Sequence, residues 1–336
     1  MPLMYSINSF LLFFIKKLRL SNPWNYKVPF LIAIPYLILL SSNFNTLHSL
    51  LLIILSLTII VGVAGLGYLT NDLGDREKDK LINKENATSS ISNQSIIILF
   101  LFFTSLTLLP WFYLPFNKYS IMFLSIQLFL FYAYAFPPFR LKEKGFLGIL
   151  TDALYAHVMP AILASYTFYL VVTKIYFNYI NFVIILCLWQ FLLGIRNILF
   201  HQLKDYNNDI SSNTNTFVTY YGNEKSEILL KRILLPLEFI LFLLFCIYIS
   251  IQFNLFFWLV IAYWIFKAIK ERKQIKLFSY RDLAYKFFDD LYLQWLPLVV
   301  IILLCIKSFV FISIAILHFV LFRSEAKTFI INFIKK

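Results

Sequence analysis

The chain has 336 residues, of which 60% are hydrophobic and 14% are charged, and its mean hydropathy is +0.77. A water-soluble domain has too little interior to hide that much apolar surface, so the composition excludes a soluble protein and indicates that lipid is the solvent. The net charge of +13 could suggest a nucleic-acid partner, but the cations stand between hydrophobic runs, which indicates membrane orientation and no nucleic acid.

Apolar runs of roughly 20 residues can cross about 30 Å of hydrocarbon as helices. Nine such runs predict an all-α integral membrane protein with about nine transmembrane helices. The last run is long and carries Lys307 in its middle, so it could also turn back or break. The predicted spans are residues 28–44, 47–70, 94–114, 119–136, 147–172, 179–203, 229–252, 254–268 and 291–322.

Lysines and arginines are distributed unequally among the connections between these spans. They are frequent in residues 1–27 and after each even-numbered span, whereas only Lys118 and Lys174 lie on the other side. Because cytoplasmic loops of membrane proteins are rich in Lys and Arg, residues 1–27 and the even-numbered loops are predicted to be cytoplasmic. Residues 323–336 form a basic tail whose side of the membrane stays open.

Carboxylates gather directly after the second span, where residues 71–80 read NDLGDREKDK. Only 17 residues of the chain are acidic, and none precedes Asp72. If the span continues as a helix, the spacing of four places Asn71, Asp75 and Asp79 on one face, with Asp72 beside that face.

A second polar stripe follows the sixth span, where residues 201–210 read HQLKDYNNDI. Asn197, His201, Asp205 and Asp209 are again four apart and end on the same side of the membrane as the first cluster. Mg²⁺ in proteins is typically held by a few carboxylates together with substrate phosphates. The two stripes therefore predict a site for a Mg²⁺-bridged diphosphate, although solvated loop charges at helix ends are the alternative interpretation.

The chain resembles the UbiA superfamily of intramembrane prenyltransferases over roughly residues 15–320. NDLGDREKDK is similar to the N-D-x-x-D-x-x-x-D motif of that family, and KDYNNDISSNTNTFVTYYG resembles its second aspartate motif. Between them, YAFPPFRLKEKGFLGILTDALYAHVMPAI at 134–162 resembles the family's loop of a tyrosine, prolines and basic residues. The stretch INKENATSSIS at 82–92 lacks the arginine that relatives often carry there.

The resemblance implies a helical bundle around a central cavity with cytoplasmic cap loops, formed by residues 28–322. It also implies transfer of a prenyl group from a polyprenyl diphosphate with Mg²⁺ as the cofactor. Arg140 and Lys142 match the basic residues that neutralise the diphosphate, and Tyr134 stands beside them. The metal ligands that it implies are Asn71, Asp75, Asp79, Asp205 and Asp209, with Asp72 also on a motif position.

Three polar residues inside the spans are further candidates. Arg196, beside Asn197, could bind an acceptor carboxylate or phosphate, or could form a structural pair with Asp152 or a backbone carbonyl, because ionisable groups inside membranes are often functional. His201 could be the base that takes the acceptor's proton or could hydrogen-bond to a carboxylate. His157 could line the same cavity, but a core histidine is the better interpretation.

The leading hypothesis is a Mg²⁺-dependent prenyltransferase that moves a polyprenyl chain onto a small aromatic, polar or phosphorylated acceptor. Its expected location is a bacterial plasma membrane, with the active site on the cytoplasmic side. A membrane terpene cyclase of the same superfamily is the first alternative. A cation transporter is the second, although transporters usually place their ion ligands near the midplane of the membrane.

Overall fold

The structure is a computed structural model that describes residues 27–44, 47–81, 83, 85–172, 174–271, 288–323 and 327. Three predicted segments lie wholly or largely outside these ranges. They are the N-terminal segment before Lys27, the basic loop after the eighth span, and most of the tail at 323–336. The predictions for these segments remain predictions.

Helices joined by short loops form the described part of the chain, which confirms the all-α class. Side chains of Ser92, Asn117 and Asn178 accept hydrogen bonds from backbone amides at the starts of three of these helices, as N-cap residues do. The helices are α1 Val28–Leu40, α2 His48–Leu81, α3 Asn93–Phe112, α4 Lys118–Ala135, α5 Phe146–Val171, α6 Tyr179–Ser211, α7 Phe217–Tyr221, α8 Asn223–Ser250, α9 Asn254–Glu271, α10 Asp290–Lys307 and α11 Phe309–Leu321.

Six of the described helices are long and apolar enough to cross a membrane, namely α2, α3, α5, α6, α8 and α10. Helices α1, α9 and α11 contain shorter apolar segments. The chain is therefore an integral, multi-pass membrane protein, while the number of nine spans stays a prediction.

Helix α1 lies at the centre of the bundle. All thirteen of its residues are buried, and it packs against α2, α5 and α10. Its sequence, VPFLIAIPYLILL, is apolar on every side, as expected for a helix that protein surrounds completely. The first helix of the described chain thus joins elements that are far apart in sequence.

The last predicted span, 291–322, is not one helix. Helix α10 ends at Lys307, the backbone at Ser308 is extended, and α11 begins at Phe309. The Lys307 ammonium group at this break donates hydrogen bonds to the carbonyl oxygens of Leu39 (2.6 Å), Leu40 (3.1 Å) and Ser42. These carbonyls lie at the end of α1, where a helix leaves carbonyl groups without intrahelical partners, and the Leu39 oxygen also accepts from Ser42. Lys307 therefore fastens α10 to α1.

Replacing Lys307 by Met keeps the apolar part of the side chain but removes the donor for these buried carbonyls. We expect the free energy of unfolding to fall by at least about 2 kcal/mol, because each buried acceptor without a partner costs about 1–3 kcal/mol. The measurement is thermal unfolding of the purified protein in detergent. Lys118→Met, at an exposed position at the start of α4, is the matched control. Equal midpoints for the two variants would contradict the assignment.

Candidate active site

A cavity of about 730 Å³ lies between α1, α2, α4, α5 and α6. Its two ends differ in chemistry. The polar end lies where α2 and α6 finish, and the apolar end lies deeper in the bundle. Side chains at the polar end include Asn71, Asp75, Asp79, Lys142, Asp205 and Asp209, and those at the apolar end include Ile59, Ile60, Val63, Trp111, Leu163 and Ala164.

The first acidic cluster lies on a continuous helix, as predicted. Helix α2 runs unbroken past the apolar span, and Asn71, Asp75 and Asp79 line the cavity. Asp72 is not among the lining residues, and its backbone carbonyl accepts a hydrogen bond from Asn86 Nδ2 at 2.8 Å. The same amide group donates to Asp79 Oδ2 at 2.8 Å. The loop after α2 therefore holds the last carboxylate of the stripe in place.

The second stripe is helical as well, because α6 continues as far as Ser211. Asn197, His201, Asp205 and Asp209 all line the same cavity as the first stripe. The Thr216 hydroxyl donates a hydrogen bond to Asp209 Oδ2 at 3.2 Å. Two stripes from two helices thus line one end of one cavity, as their spacing predicts, while their chemical roles stay predictions.

Lys142 brings a cation to the first stripe. It lies in the loop between α4 and α5, is 7% exposed, and its ammonium group donates a hydrogen bond to Asp75 Oδ1. Burial lowers the pKa of Lys142, and the Asp75 carboxylate opposes that shift. A β-bridge between Gly145 and Thr216 links this loop to the loop that follows the second stripe.

Arg140 lies next to the cavity, and its predicted role at the diphosphate stays a prediction. It does not line the cavity, and its guanidinium donates to the carbonyl oxygens of Gly74 (2.8 Å) and Ala135 (3.1 Å) and to Glu143 (2.5 Å). Its distance to Asp75 is 3.6 Å. A Cβ atom on Gly74 would lie 2.7 Å from the Ala135 oxygen, so α2 and the end of α4 touch here. Arg140 therefore clamps two helices and supports the loop that carries Lys142.

Glu143 completes this clamp. It accepts from Arg140 and forms an ion pair of 2.8 Å with Lys78, the latter on α2. Burial raises the pKa of Glu143, but the hydrogen bonds from Lys78 and Arg140 outweigh it, so the pKa lies below its usual value. These two hydrogen bonds therefore favour the ionised form of the Glu143 carboxylate.

Tyr134 occupies the predicted position next to the basic loop. It is buried, lines the cavity, and packs edge-on against Tyr155 with ring centroids 5.1 Å apart. Asp75 and Asp209, one from each stripe, line the same cavity as Tyr134.

The prediction of a structural pair between Arg196 and Asp152 is wrong. Arg196 Nε lies 2.7 Å from Glu238 Oε2, and Arg196 Nη2 lies 3.7 Å from Asp289 Oδ1. Arg196 is 1% exposed and lines a smaller neighbouring cavity instead of the main one. Glu238, from α8, is the partner because a charge buried in a bundle must be paired to be stable.

The donor set fits a hard divalent cation that shares its coordination with a substrate. Within the described ranges, no three His, Cys, Asp or Glu side chains come close enough to hold a metal ion by themselves. Mg²⁺ does not need such a cage, because it keeps waters and binds through one or two carboxylates plus substrate phosphates. Carboxylate and amide oxygens on both walls of the cavity meet that requirement.

Comparisons with known proteins identify the family of this chain. The model of the UbiA prenyltransferase family matches residues 28–296. The chain belongs to the UbiA prenyltransferase family. The resemblance seen in the motifs is thereby confirmed. A search of curated protein sequences gives no match.

Two solved structures with the same fold illustrate the match. A UbiA homolog from Archaeoglobus fulgidus bound to GPP and Mg²⁺ is 16% identical, with a TM-score of 0.58, and the match covers 86% of this chain and 99% of that one. A digeranylgeranylglyceryl phosphate synthase is 20% identical, with a TM-score of 0.54, and the match covers 89% of this chain and 99% of that one. The identities are low, so these likenesses establish the fold.

Several cavity residues were not predicted from the sequence. Lys78, Lys204 and Asn208 belong to the two quoted motifs, so helical spacing within those motifs could have identified them. Gln127 is a lone amide in an apolar span, and a polar residue inside a span could have been identified from the sequence as a functional candidate. Lys27 gave no signal, because only the fold places the start of α1 beside the cavity.

Replacing Arg140 by Gln removes the donor that joins α2 to α4. We expect a lower midpoint of thermal unfolding, because two backbone carbonyls and Glu143 lose a charged partner, each such loss costing about 1–3 kcal/mol. Arg232→Gln, at an exposed position on α8, is the control and should unfold like the unmodified protein. An unchanged midpoint for Arg140→Gln would show that Arg140 is not a clamp.

Proposed function

We propose that this protein transfers a polyprenyl group from its diphosphate to a small acceptor inside the membrane, with Mg²⁺ as the cofactor and with release of pyrophosphate. The observation that carries this proposal is the cavity with two acidic stripes at one end and apolar walls at the other. Family membership supports it, as do the fold neighbours bound to GPP or DMAPP with Mg²⁺.

The acidic stripes would hold the metal and the diphosphate. We assign metal binding to Asn71, Asp75 and Asp79 on α2 and to Asp205 and Asp209 on α6, with Asp72 behind them. Mg²⁺ bound there would act as a Lewis acid that neutralises charge on the leaving pyrophosphate. Lys142, which pairs with Asp75 in the structure, can turn its ammonium group to a phosphate oxygen as that charge develops.

Cleavage of the donor breaks the bond between C1 and the bridging oxygen, and the electron pair leaves with pyrophosphate. The allylic cation that remains must be kept from water and stabilised by electron-rich surfaces. Phe131, Tyr134 and Tyr155 line the cavity, with the rings of Phe131 and Tyr155 5.0 Å apart. These rings can provide both the dry surface and the cation–π stabilisation.

The apolar end offers room for the isoprenoid tail. Along α2 the cavity lining extends from Asn71 back to Ser56. The fifteen residue steps from Ser56 to Asn71 span about 22 Å of helix, at about 1.5 Å per step. One isoprene unit advances about 5 Å, since it has four bonds of about 1.5 Å in the chain direction. A tail of roughly four units, as in geranylgeranyl diphosphate, therefore fits.

The cytoplasmic orientation of the site is part of this proposal. It rests on the concentration of lysine and arginine in residues 1–27 and in the even-numbered loops. Residues 28–322 would then form the catalytic domain and residues 323–336 a basic tail. A bacterial plasma membrane remains the expected location.

The geometry favours this activity over cation transport. Transporters commonly bind their ions near the midplane, between interrupted helices. Here α2 and α6 run unbroken through the bundle, and their acidic stripes lie at one end of the cavity. That arrangement suits a site where a diphosphate enters from the aqueous side and its tail extends into the bundle.

The test uses purified protein with geranylgeranyl diphosphate, Mg²⁺ and a panel of acceptors, and measures pyrophosphate release and prenylated products. We expect Asp75→Asn, Asp205→Asn and removal of Mg²⁺ with EDTA each to lower the rate at least about 100-fold, because each removes stabilisation of the leaving group. Glu224→Gln, at an exposed position on α8, is the control.

Thermal unfolding of the same variants separates loss of the site from loss of the fold. Wild-type rates in well-folded Asp75→Asn and Asp205→Asn would reject the site. A cyclic hydrocarbon formed without any acceptor would identify the protein as a terpene cyclase instead.

A further inference from the structure

A ring of polar side chains surrounds the cavity just below the acidic stripes. This polar belt consists of Lys27 at the start of α1, Gln127 on α4, Asp152 on α5, and Asn197 and His201 on α6, all of which line the cavity. A hydrocarbon tail gains nothing from such groups, and buried polar groups without partners are costly. The belt therefore indicates a second, polar ligand.

Two buried amide oxygens of the belt have no hydrogen-bond partner in the described part of the chain. Gln127, which is 1% exposed, donates through Nε2 to the Tyr155 carbonyl at 3.0 Å, while its Oε1 receives nothing. The π-helical turn Leu154–Val158 makes the Tyr155 carbonyl available for this contact. The Asn197 amide nitrogen lies 3.5 Å from His157 Nε2, and its Oδ1 is likewise buried without a donor. Both residues line the cavity, so their oxygens can accept hydrogen bonds from a ligand bound there.

Asp152 is the third acceptor of the belt and its only carboxylate. The Tyr155 hydroxyl donates a hydrogen bond to Asp152 Oδ1 at 2.5 Å. Lys27 from α1, Tyr134 from α4, and Tyr155 from α5 line the same cavity as Asp152, as does His201 from α6.

Tyr134 places the belt beside the reaction centre. Tyr134 packs edge-on against Tyr155 with ring centroids 5.1 Å apart, and the Tyr155 hydroxyl donates to Asp152. His201 lies one helical turn before Asp205 on α6, so the belt adjoins the acidic stripes. A group held by Asp152 would therefore lie toward the end of the donor that carries the diphosphate.

We propose that the polar belt binds an acceptor with several hydroxyl groups, such as a polyol or sugar, and that Asp152 takes the proton from the hydroxyl that is prenylated. The inference rests on the proposed transferase function and names its acceptor class. Gln127 Oε1 and Asn197 Oδ1 accept hydrogen bonds from the other hydroxyls, and Lys27 donates to an acceptor oxygen.

The transfer step needs only the donor diphosphate, the acceptor hydroxyl and the Asp152 carboxylate. The bond between C1 of the donor and its bridging oxygen breaks, and pyrophosphate leaves with the electron pair. A lone pair of the acceptor oxygen forms the new bond to C1, and the hydroxyl proton passes to the Asp152 carboxylate. Lys27 is a positioning residue, because its ammonium group lines the same cavity and can donate a hydrogen bond to an oxygen of the acceptor.

The experiment compares two probe acceptors, glycerol for hydroxyl groups and 4-hydroxybenzoate for an aromatic ring. Geranylgeranyl diphosphate and Mg²⁺ are present throughout, and Mg²⁺-dependent binding of the donor is measured separately. We expect wild-type protein to form a prenyl glyceryl ether, and Asp152→Asn to lower that rate about 100-fold or more, as for loss of a general base. Donor binding should be unchanged in Asp152→Asn, and Asp152→Glu should recover part of the rate.

Two further variants test the remaining members of the belt. Gln127→Leu should raise the KM for glycerol at least severalfold while kcat changes little. Lys27→Met should likewise raise the KM for glycerol at least severalfold while kcat changes little, whereas a merely structural lysine would lower the thermal midpoint without a selective change in KM. Glu227→Gln, an acid-to-amide change on the outer part of α8, should match wild type in every assay.

The outcomes separate this inference from the proposed function. If wild-type protein binds the donor with Mg²⁺ but prenylates only 4-hydroxybenzoate, or neither probe, the acceptor class is overturned. If Asp152→Asn forms the ether at the wild-type rate, Asp152 is not the base. Failure to bind the donor with Mg²⁺ would instead reject the proposed function itself.

Discussion

An ionised side chain is stable inside a membrane bundle only where the protein gives it partners or an aqueous opening. This constraint explains where the charges of the chain lie. Lys307 caps three carbonyl groups, Arg196 pairs with Glu238, and Lys142 pairs with Asp75. The carboxylates of the two stripes are gathered around one cavity, where a divalent ion and a diphosphate can balance them. The active site is thus the place where the bundle concentrates negative charge for a ligand to neutralise.

Much of the candidate site could be predicted from the sequence because it depends on helical periodicity. Spacings of four in Asn71, Asp75 and Asp79, and in Asp205 and Asp209, fix a common face as soon as each helix continues past its apolar run. Neither stretch contains proline, so each helix could be expected to continue past its apolar run, and α2 and α6 do continue. The fold class followed from composition alone.

What the sequence could not predict depends on contacts between distant helices. The partner of Arg196 is a glutamate 42 residues later, and Lys307 binds carbonyls more than 260 residues earlier. Arg140 stands in a basic motif, and its guanidinium group binds two carbonyls where α2 and α4 approach each other closely. No local pattern distinguishes a clamp from a phosphate ligand when both need the same guanidinium group.

The cavity contains three environments along its length, and the proposed reaction needs all three. The acidic end suits a metal-bound diphosphate, the polar belt below it suits a hydroxylated acceptor, and the apolar end suits an isoprenoid tail. Because these three environments lie along unbroken helices, the reacting ends of both substrates would lie within about one or two helical turns of each other. Orientation of this kind lowers the activation free energy without further machinery.

The most direct measurement is an experimental structure of the protein with Mn²⁺ in place of Mg²⁺ and a non-cleavable thio-analogue of geranylgeranyl diphosphate. We expect anomalous scattering from Mn²⁺ between Asp75 on α2 and Asp205 on α6, with the tail of the analogue extending toward Ser56. Metal bound elsewhere, or a tail lying outside the bundle, would contradict this expectation.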